Sequence, residues 1–305
     1  MTEQKIFELT VSLLSFLKTH EKKKLVRKFS CSEEIFNLNI KDLSLLVERS
    51  IKVKDFSFED LKIKLERCIK IIESYKIEFT SVFDKDYPAM LRDIAEPPFI
   101  IFVRGKKISD ENKIAIVGTR RPTGMGMQVT FDIAKSFAEK KYTIVSGLAI
   151  GVDAFAHKGA VSVNAPTVAV LPCSVENLYP RANANLARRI IDAGGSIVSE
   201  YPPETSALKF RFLERNRIIS GLSDATVVTE APKESGALST ARHACKQGKP
   251  LFVFAQLFDS IQNEGGKNLD ANVVSSADDV ITMLKNKTME KRFSENIFLD
   301  ERISQ

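Results

Sequence analysis

The residues best suited to bind a polyanion lie in two short stretches of the sequence. The first, residues 118–126, contains three glycines and the adjacent Arg120 and Arg121 between an apolar run and a helical pattern. Glycine lets the backbone approach an anion, a helix N-terminus offers unpaired N–H groups, and arginine supplies forked donors that suit phosphate. The spacing is neither G-x-G-x-x-G nor a P-loop, so a plain turn with two solvated arginines is an equal alternative.

The second stretch, residues 209–217, places basic side chains beside aromatic ones. Lysine and arginine bind phosphates, and aromatic rings stack on bases, so the pattern suits a nucleic-acid single strand. The alternative for Phe210 and Phe212 is a place in the core at alternate positions.

Three further segments that follow apolar runs carry polar residues. Ser146-Gly147 and Ser235-Gly236 each precede a helical pattern, and Ser235-Gly236 favours an anion at the helix N-terminus. Ser199-Glu200-Tyr201 adds a carboxylate and an aromatic ring. Asp153 suits a helix dipole better than catalysis, His157 suits packing or the surface, and Cys173 suits a buried structural thiol.

The elements that must position these residues are a series of short apolar runs, at residues 113–117, 143–145, 167–171, 196–198, 225–228 and 251–254. Helical patterns such as 129–139 and 183–193 alternate with them. This alternation predicts an α/β fold with a mostly parallel sheet and helices on both faces. Ligands bind beyond the carboxyl ends of such strands, so we expect Lys209 to approach Arg120 there.

The first part of the chain differs in composition and in hydrophobic pattern. Residues 1–76 contain no glycine or proline and predict four or five helices, followed by short strands near residues 77–80 and 100–103. We therefore expect a helical N-terminal domain over residues 1–76, a Rossmann-like domain over 77–286 and a short tail over 287–305, too short for a winged helix.

Composition narrows the class of protein. The chain has 305 residues, 44% of them hydrophobic and 28% charged, which excludes collagen and a wholly disordered polymer. No apolar run approaches the ~18 residues of a membrane span, and the N-terminus lacks a signal-peptide pattern. Four widely spaced cysteines fit a reducing cytoplasm without a zinc cluster. The net charge of +6 permits a nucleic-acid partner without requiring one.

Six ordered motifs together resemble the DprA (Smf) family of DNA-processing proteins. They are Val117-Gly118-Thr119-Arg120, the segment from Ser146 to Asp153 with His157, Ala169-Val170-Leu171 with Tyr179-Pro180, Ser199-Glu200-Tyr201, the segment from Arg215 to Ser223, and Glu230-Ala231 with Ser235-Gly236 and Thr240-Ala241. The resemblance covers roughly residues 80–284. It departs from the family at Leu213-Glu214, where a proline is usual, and at Phe254-Ala255-Gln256, where Val-Pro-Gly is usual.

The resemblance implies an extended Rossmann-like domain that binds single-stranded DNA without catalysis, cofactor or metal. It also implies a cytoplasmic homodimer that protects incoming DNA and loads the recombinase RecA onto it in natural transformation. It matches the family's pocket arginine to Arg120 or Arg121 and its pocket lysine to Lys209. We expect the DNA-binding residues to be Gly118, Thr119, Arg120, Arg121, Gly124, Ser146, Gly147, Lys209, Phe212, Arg215, Asn216, Arg217, Glu230, Ser235 and Gly236.

A rival hypothesis is an enzyme of the lysine-decarboxylase-like (LOG) type, which hydrolyses nucleoside monophosphates. That family carries P-G-G-x-G-T-x-x-E, with a catalytic glutamate. The corresponding stretch here, residues 230–240, has Gly236 as its one glycine, and no glutamate stands at the motif position after Thr240. The enzyme hypothesis therefore lacks its base.

Overall fold

The computed structural model describes residues 1–109 and 112–286. Its α-helices, in chain order, are α1 Glu3–Leu13, α2 Thr19–Lys28, α3 Ser32–Phe36, α4 Ile40–Leu46, α5 Phe58–Ser74, α6 Ala89–Arg92, α7 Gly124–Glu139, α8 Val152–Ser162, α9 Ala184–Asp192, α10 Lys209–Gly221, α11 Ala237–Lys246, α12 Ala255–Phe258 and α13 Glu264–Lys267. Its strands are β1 Glu78–Ser81, β2 Ile100–Gly105, β3 Lys113–Val117, β4 Thr143–Ser146, β5 Thr167–Val170, β6 Ser196–Ser199, β7 Ala225–Val228, β8 Leu251–Phe254 and β9 Asn272–Val274.

The chain divides into two compact units. Unit 1 comprises residues 1–110 and 168–218, and unit 2 comprises residues 111–167 and 219–305. These boundaries differ from the expected division at residue 76, and a separate helical domain over residues 1–76 stays a prediction. The expected tail over residues 287–305 lies outside the described residues.

The N-terminal helices of unit 1 begin where polar side chains cap them. Ser57 Oγ accepts a hydrogen bond from the Asp60 amide over 3.0 Å at the start of α5, which leaves fewer backbone groups unpaired. Helix α5 then buries Leu61, Leu65 and Cys68 along one face, as helical spacing predicts. Ile63, which the apolar pattern included, points away from that face and is exposed.

The four strands of unit 1 follow the order β1-β2-β6-β5. Strand β2 pairs antiparallel with both β1 and β6, whereas β5 pairs parallel with β6. Lys5 on α1 forms an ion pair with Asp84 just after β1, so the N-terminal helices also contact this part of the unit.

Unit 2 contributes the strands β4-β3-β7-β8-β9 in that order, and each neighbouring pair whose register we describe is parallel. Every residue of β3, β4, β7 and β8 is buried, as expected of parallel strands covered on both faces. The carboxyl ends of β3 and β7 are adjacent because Val117 pairs with Val228. The loops that follow these two strands therefore start side by side.

The predicted fold class, α/β with mostly parallel strands and an N-terminal helical region, is confirmed. All six apolar runs form strands, and the helical patterns at 129–139 and 183–193 fall within α7 and around α9. Strand β9 was not predicted. Within the described residues, no helix is long and apolar enough to cross a membrane.

Candidate nucleic-acid interface

The loop after β3, residues 118–123, is fastened to the exit of β7 through Glu230; we call it the first loop. The Thr119 amide donates to the Glu230 carbonyl oxygen over 2.6 Å. The Thr123 amide and hydroxyl each donate to the buried Glu230 carboxylate over 2.8 Å. The Thr123 hydroxyl also accepts from the Gly126 amide over 2.9 Å and so caps α7. Much of the polar backbone here is therefore satisfied inside the unit.

Two glycines in and beside the first loop are required by close approach within the protein. A Cβ atom at Gly126 would lie 2.2 Å from Oε2 of Glu230, and one at Gly118 would lie 2.6 Å from the Val152 side chain. Packing inside unit 2 therefore accounts for glycine at these two positions, and a role for Gly118 in DNA binding stays a prediction. A Cβ atom at Gly124 would meet nothing within 4 Å, so the first turn of α7 stays open there.

Arg120 and Arg121 of the first loop are both exposed. The Arg121 guanidinium makes no hydrogen bond or ion pair with any described residue. The amides of Gly124 and Met125 have no partner in the described part of the chain either. Unpaired guanidinium and N–H donors beside a helix N-terminus can bind an anion such as phosphate.

The polar residues after β4 and β7 are used mainly inside unit 2. The buried Ser146 hydroxyl donates to the Ile116 carbonyl over 2.6 Å, and the Gly147 amide donates to the Asp153 carboxylate over 3.1 Å. Asp153 lies in the first turn of α8, where a carboxylate suits the helix dipole. Ser235 Oγ accepts from the Ala237 amide over 3.2 Å at the start of α11.

The start of α10 carries a second cationic surface in unit 1. We call it the α10 surface and define it as Tyr179, Tyr201, Lys209, Phe210, Arg211 and Phe212. Lys209 is exposed, and its ammonium makes no hydrogen bond or ion pair with the described residues. Phe210 is 53% exposed, so the alternative that places it in the core is wrong.

Aromatic rings and a guanidinium stack on the α10 surface. The Arg211 guanidinium carbon lies 5.1 Å from the Tyr201 ring centroid and 5.4 Å from that of Phe210. Phe212 is half-buried and meets the Tyr179 ring edge-on, with centroids 5.6 Å apart. The surface combines the long cationic side chain of Lys209 with rings whose faces or edges reach solvent. Such a surface suits phosphates and unstacked bases.

The Arg-Asn-Arg run of α10 is largely covered by protein: Arg215 and Asn216 are buried, and Arg217 is half-buried. Arg215 is buried and donates to the Val170 carbonyl, and its Nε donates to Oδ1 of Asn216 over 3.3 Å. Arg217 forms a bidentate pair with Glu200, with both N–O distances 2.7 Å. These contacts fix the helix against β5 and the exit of β6.

The expected DNA-binding residues therefore fall into three groups by exposure. The exposed ones are Arg120, Arg121, Gly124, Lys209 and Gly236; the half-buried ones are Gly118, Phe212, Arg217 and Ser235; the buried ones are Thr119, Ser146, Gly147, Arg215, Asn216 and Glu230. The approach of Lys209 to Arg120 stays a prediction.

Two residues with reactive side chains, Cys173 and His157, are buried and hydrogen-bonded within the protein. Burial raises the pKa of the Cys173 thiol to about 12, and the Sγ–H group donates to the Asn177 carbonyl over 3.1 Å. His157 is buried, with Nδ1 2.8 Å from the Thr167 hydroxyl. Both observations agree with the packing roles expected from the sequence.

Sequence reasoning missed Ser260 and the exposed ring of Phe210. Ser260 lies after α12, and its hydroxyl donates to Oε1 of Glu230. No local pattern marks this contact, because the two residues belong to different loops. The alternation of basic and aromatic residues from Lys209 onward was a signal for Phe210.

Together, the fold and the two cationic surfaces define a Rossmann-like α/β protein that presents cations and aromatic rings, as nucleic-acid-binding proteins do. The chain belongs to the family described as DNA recombination-mediator protein A, whose sequence profile matches residues 78–285. A recombination-mediator role on DNA follows at the level of the family.

Individual relatives agree with this assignment. The DNA processing protein DprA of Bacillus subtilis is 35% identical over 232 residues, which cover 74% of this chain and 78% of that protein. Protein Smf of Borreliella burgdorferi is 34% identical over 248 residues, 81% of this chain and 78% of that protein. The crystal structure of DprA from Streptococcus pneumoniae matches with a TM-score of 0.71 at 28% identity, covering 92% of this chain and 98% of that one.

A solved structure from Helicobacter pylori matches with a TM-score of 0.60 at 31% identity, covering 70% of this chain and 97% of that one. That structure is described as giving insight into the single-stranded DNA binding mode of DNA processing protein A from that organism.

Proposed function

We propose that the chain binds single-stranded DNA through the first loop and the α10 surface. The observation that carries the proposal is the α10 surface itself, where an exposed lysine with no partner among the described residues is followed directly by a phenylalanine ring that is 53% exposed. An unstacked base of a single strand can stack on an exposed ring, whereas the bases of duplex DNA are already stacked on one another. The single-stranded DNA binding described for the Helicobacter pylori relative supports the same conclusion.

Within this proposal the expected residues take two roles. Arg120, Arg121 and Lys209 bind phosphates, and Phe212 offers the edge of a ring to a base. The remaining half-buried and buried residues of the expected set hold these groups in place through the contacts described above, Arg217 with Glu200 among them.

We further propose that the bound strand is incoming DNA in natural transformation and that the protein loads RecA onto it. The resemblance of the six motifs to the DprA (Smf) family supports this proposal. This role places the protein in the cytoplasm, without a membrane partner.

A homodimer is part of the proposal, because two sites on one strand raise avidity without new contacts. Near the end of the described chain, the apolar residues Val274, Val280 and Ile281 are buried in the core of unit 2 and offer no surface for dimer contacts. Val273 on β9 is 54% exposed and remains available. A monomer mass by light scattering, well above the concentration that saturates DNA, would rule the dimer out.

The DNA proposal is tested by fluorescence anisotropy with labelled oligo-dT and with duplex of equal length. We expect tighter binding to the single strand and a steep loss of affinity with salt, because bound cations release counterions. Equal affinity for both at moderate salt would contradict the proposal. Incubation with AMP tests the LOG-type alternative, for which release of free adenine is the diagnostic result.

The site assignment is tested with Arg120→Ala and Lys209→Ala, each of which we expect to weaken oligo-dT binding by about 1–3 kcal/mol, as for charge-assisted hydrogen bonds. Lys52→Ala is the control, since Lys52 is an exposed lysine in the N-terminal region. Weaker binding by Lys52→Ala alone would move the DNA site to the helical region.

A further inference from the structure

The Glu230 carboxylate receives hydrogen bonds from two loops of unit 2. The Thr123 amide and hydroxyl donate to it from the first loop, each over 2.8 Å, and the Ser260 hydroxyl donates from the loop after α12. The side chain is fully buried. We call Glu230, Thr123 and Ser260 the carboxylate brace. A buried carboxylate is stable only when donors satisfy it, so each member matters to the others.

The carboxylate brace leaves little freedom to the first loop. The loop is tied to residue 230 at both ends, by the Thr119 amide on the Glu230 carbonyl and by the Thr123 contacts on the carboxylate. Gly126 makes room for the carboxylate, since a Cβ atom there would lie 2.2 Å from Oε2. Arg120 and Arg121 lie between the two ties and are exposed.

The brace also places a protein carboxylate at the N-terminus of α7. The Thr123 hydroxyl accepts from the Gly126 amide and donates to Glu230, so one hydroxyl links the helix cap to the carboxylate. A negative group is favourable at the positive end of a helix dipole. The backbone donors that an incoming phosphate would otherwise use at residues 123 and 126 are thereby already paired.

We propose that Ser260 and Glu230 are positioning residues, which hold the first loop so that its arginines face solvent before DNA arrives. The inference rests on the proposed DNA-binding function and adds a residue, Ser260, from outside every expected motif. A loop that is ordered in advance loses less entropy on binding, so affinity falls when the brace is cut even though the arginines remain.

Hydrogen exchange followed by mass spectrometry tests the brace without DNA. We expect Ser260→Ala to speed exchange of the amides in residues 119–126 several-fold and Ser260→Thr, which keeps a hydroxyl, to restore slow exchange. Ser162→Ala is the control, because the exposed Ser162 hydroxyl donates to the Gly159 carbonyl of its own helix and to no other described residue. Unchanged exchange in Ser260→Ala, with the fold intact by circular dichroism, would overturn the proposal.

A double-mutant cycle on oligo-dT binding tests the link to the arginines. Ser260→Ala alone should weaken binding about fivefold. In an Arg121→Ala background it should cost clearly less, because part of what it positions is gone. Fully additive losses would overturn the positioning role. If the wild-type protein does not bind oligo-dT, both the proposed function and this role are wrong. The exchange experiment would still show whether the carboxylate brace holds the first loop.

Discussion

At the start of α10, a cation lies against aromatic rings, whereas in the first loop the arginines belong to a backbone segment that is bonded to a buried carboxylate. The Arg211 guanidinium lies close to two rings, and Lys209, two residues earlier in the chain, is unpaired among the described residues. In the first loop the order comes instead from Glu230 and its donors. The α10 surface thus offers rings and charge together, and the first loop offers charge and N–H groups held in a fixed backbone.

This difference implies different binding chemistry. Contacts between guanidinium groups and phosphates release counterions and weaken with salt. Stacking of bases on rings tolerates any base and does not depend on neutralising a charge. We therefore expect mutations of rings on the α10 surface and of arginines in the first loop to differ in their salt dependence, even where their effect on affinity is similar.

The largest expected effect is on stability and concerns the support of the α10 surface. Glu200 and Arg217 form a bidentate pair whose side chains are 17% and 13% exposed. Replacing Glu200 by Gln leaves a poorly solvated arginine without its counter-charge, which we expect to cost about 2–3 kcal/mol, somewhat below a fully buried pair. Urea unfolding measures this loss.

The matched control for this change is Glu204→Gln. Glu204 pairs with Arg67 over 3.2 Å, but the two side chains are 39% and 57% exposed. Exposed pairs contribute about 0–1 kcal/mol, so this variant should unfold close to wild type. Equal losses in both variants would mean that the Glu200 pair is no better protected from solvent than an ordinary surface pair.

The next effect is on DNA binding and compares the two regions directly. Phe210→Ala and Arg121→Ala should each weaken oligo-dT binding by about 1–3 kcal/mol. Only Arg121→Ala should lower the slope of log K against log salt, by about 0.7 for one phosphate contact on a single strand. Anisotropy titrations at four or five salt concentrations give both quantities.

Phe210→Trp provides the control for stacking, because it keeps an aromatic face and should retain affinity. If Phe210→Ala lowers the salt slope as much as Arg121→Ala does, the α10 surface acts through charge alone and the contrast between the regions fails.

The parts of this architecture that the sequence predicts are those set by local pattern. Buried parallel strands have continuous apolar sequences, so the strand of residues 225–228 is predicted from its own residues, without knowledge of its neighbours in the fold. Strand β9 was missed because it has three residues, of which Asn272 and Val273 are exposed. The sequence of so short a strand, with two exposed residues, cannot be distinguished from the sequence of a loop.

The site divides in the same way. The exposure of Arg121 and Lys209 could be predicted from their positions between a strand and a helix. Arg121 lies in the loop before α7, and Lys209 is the first residue of α10. The burial of Glu230 could not, because its donor Thr123 is 107 residues away and its donor Ser260 is 30 residues away. A glutamate in a glycine-containing, strand-following segment looks like a ligand contact in sequence, and only the tertiary structure shows that the protein's own donors satisfy it.

The smallest expected effect is a pH dependence at the other end of α10. Lys249 Nζ donates to the carbonyls of Ser220 and Gly221, over 2.8 and 2.6 Å, at the helix C-terminus. Burial lowers the pKa of Lys249 to about 8, with Asp224 working against this and Lys113 adding to it. The unfolded chain keeps an ordinary lysine pKa near 10.4. Between about pH 8 and pH 10 the unfolded state therefore binds more protons, so this group makes the folded state more stable as pH rises.

Comparing wild type with Lys249→Met isolates that contribution from the cysteines and tyrosines that titrate over the same range. The free energy of unfolding of wild type minus that of Lys249→Met should grow by roughly 1–2 kcal/mol from pH 7.5 to pH 10, allowing for partial exposure of the ammonium. Lys246→Met, which removes an exposed ammonium on α11, is the control, and its difference from wild type should stay constant. A constant difference for Lys249→Met as well would show that the ammonium is solvated at the end of α10. The capping contact would then be a surface contact, and the helix that presents the α10 surface would owe its stability to the Glu200 pair and the buried Arg215 instead.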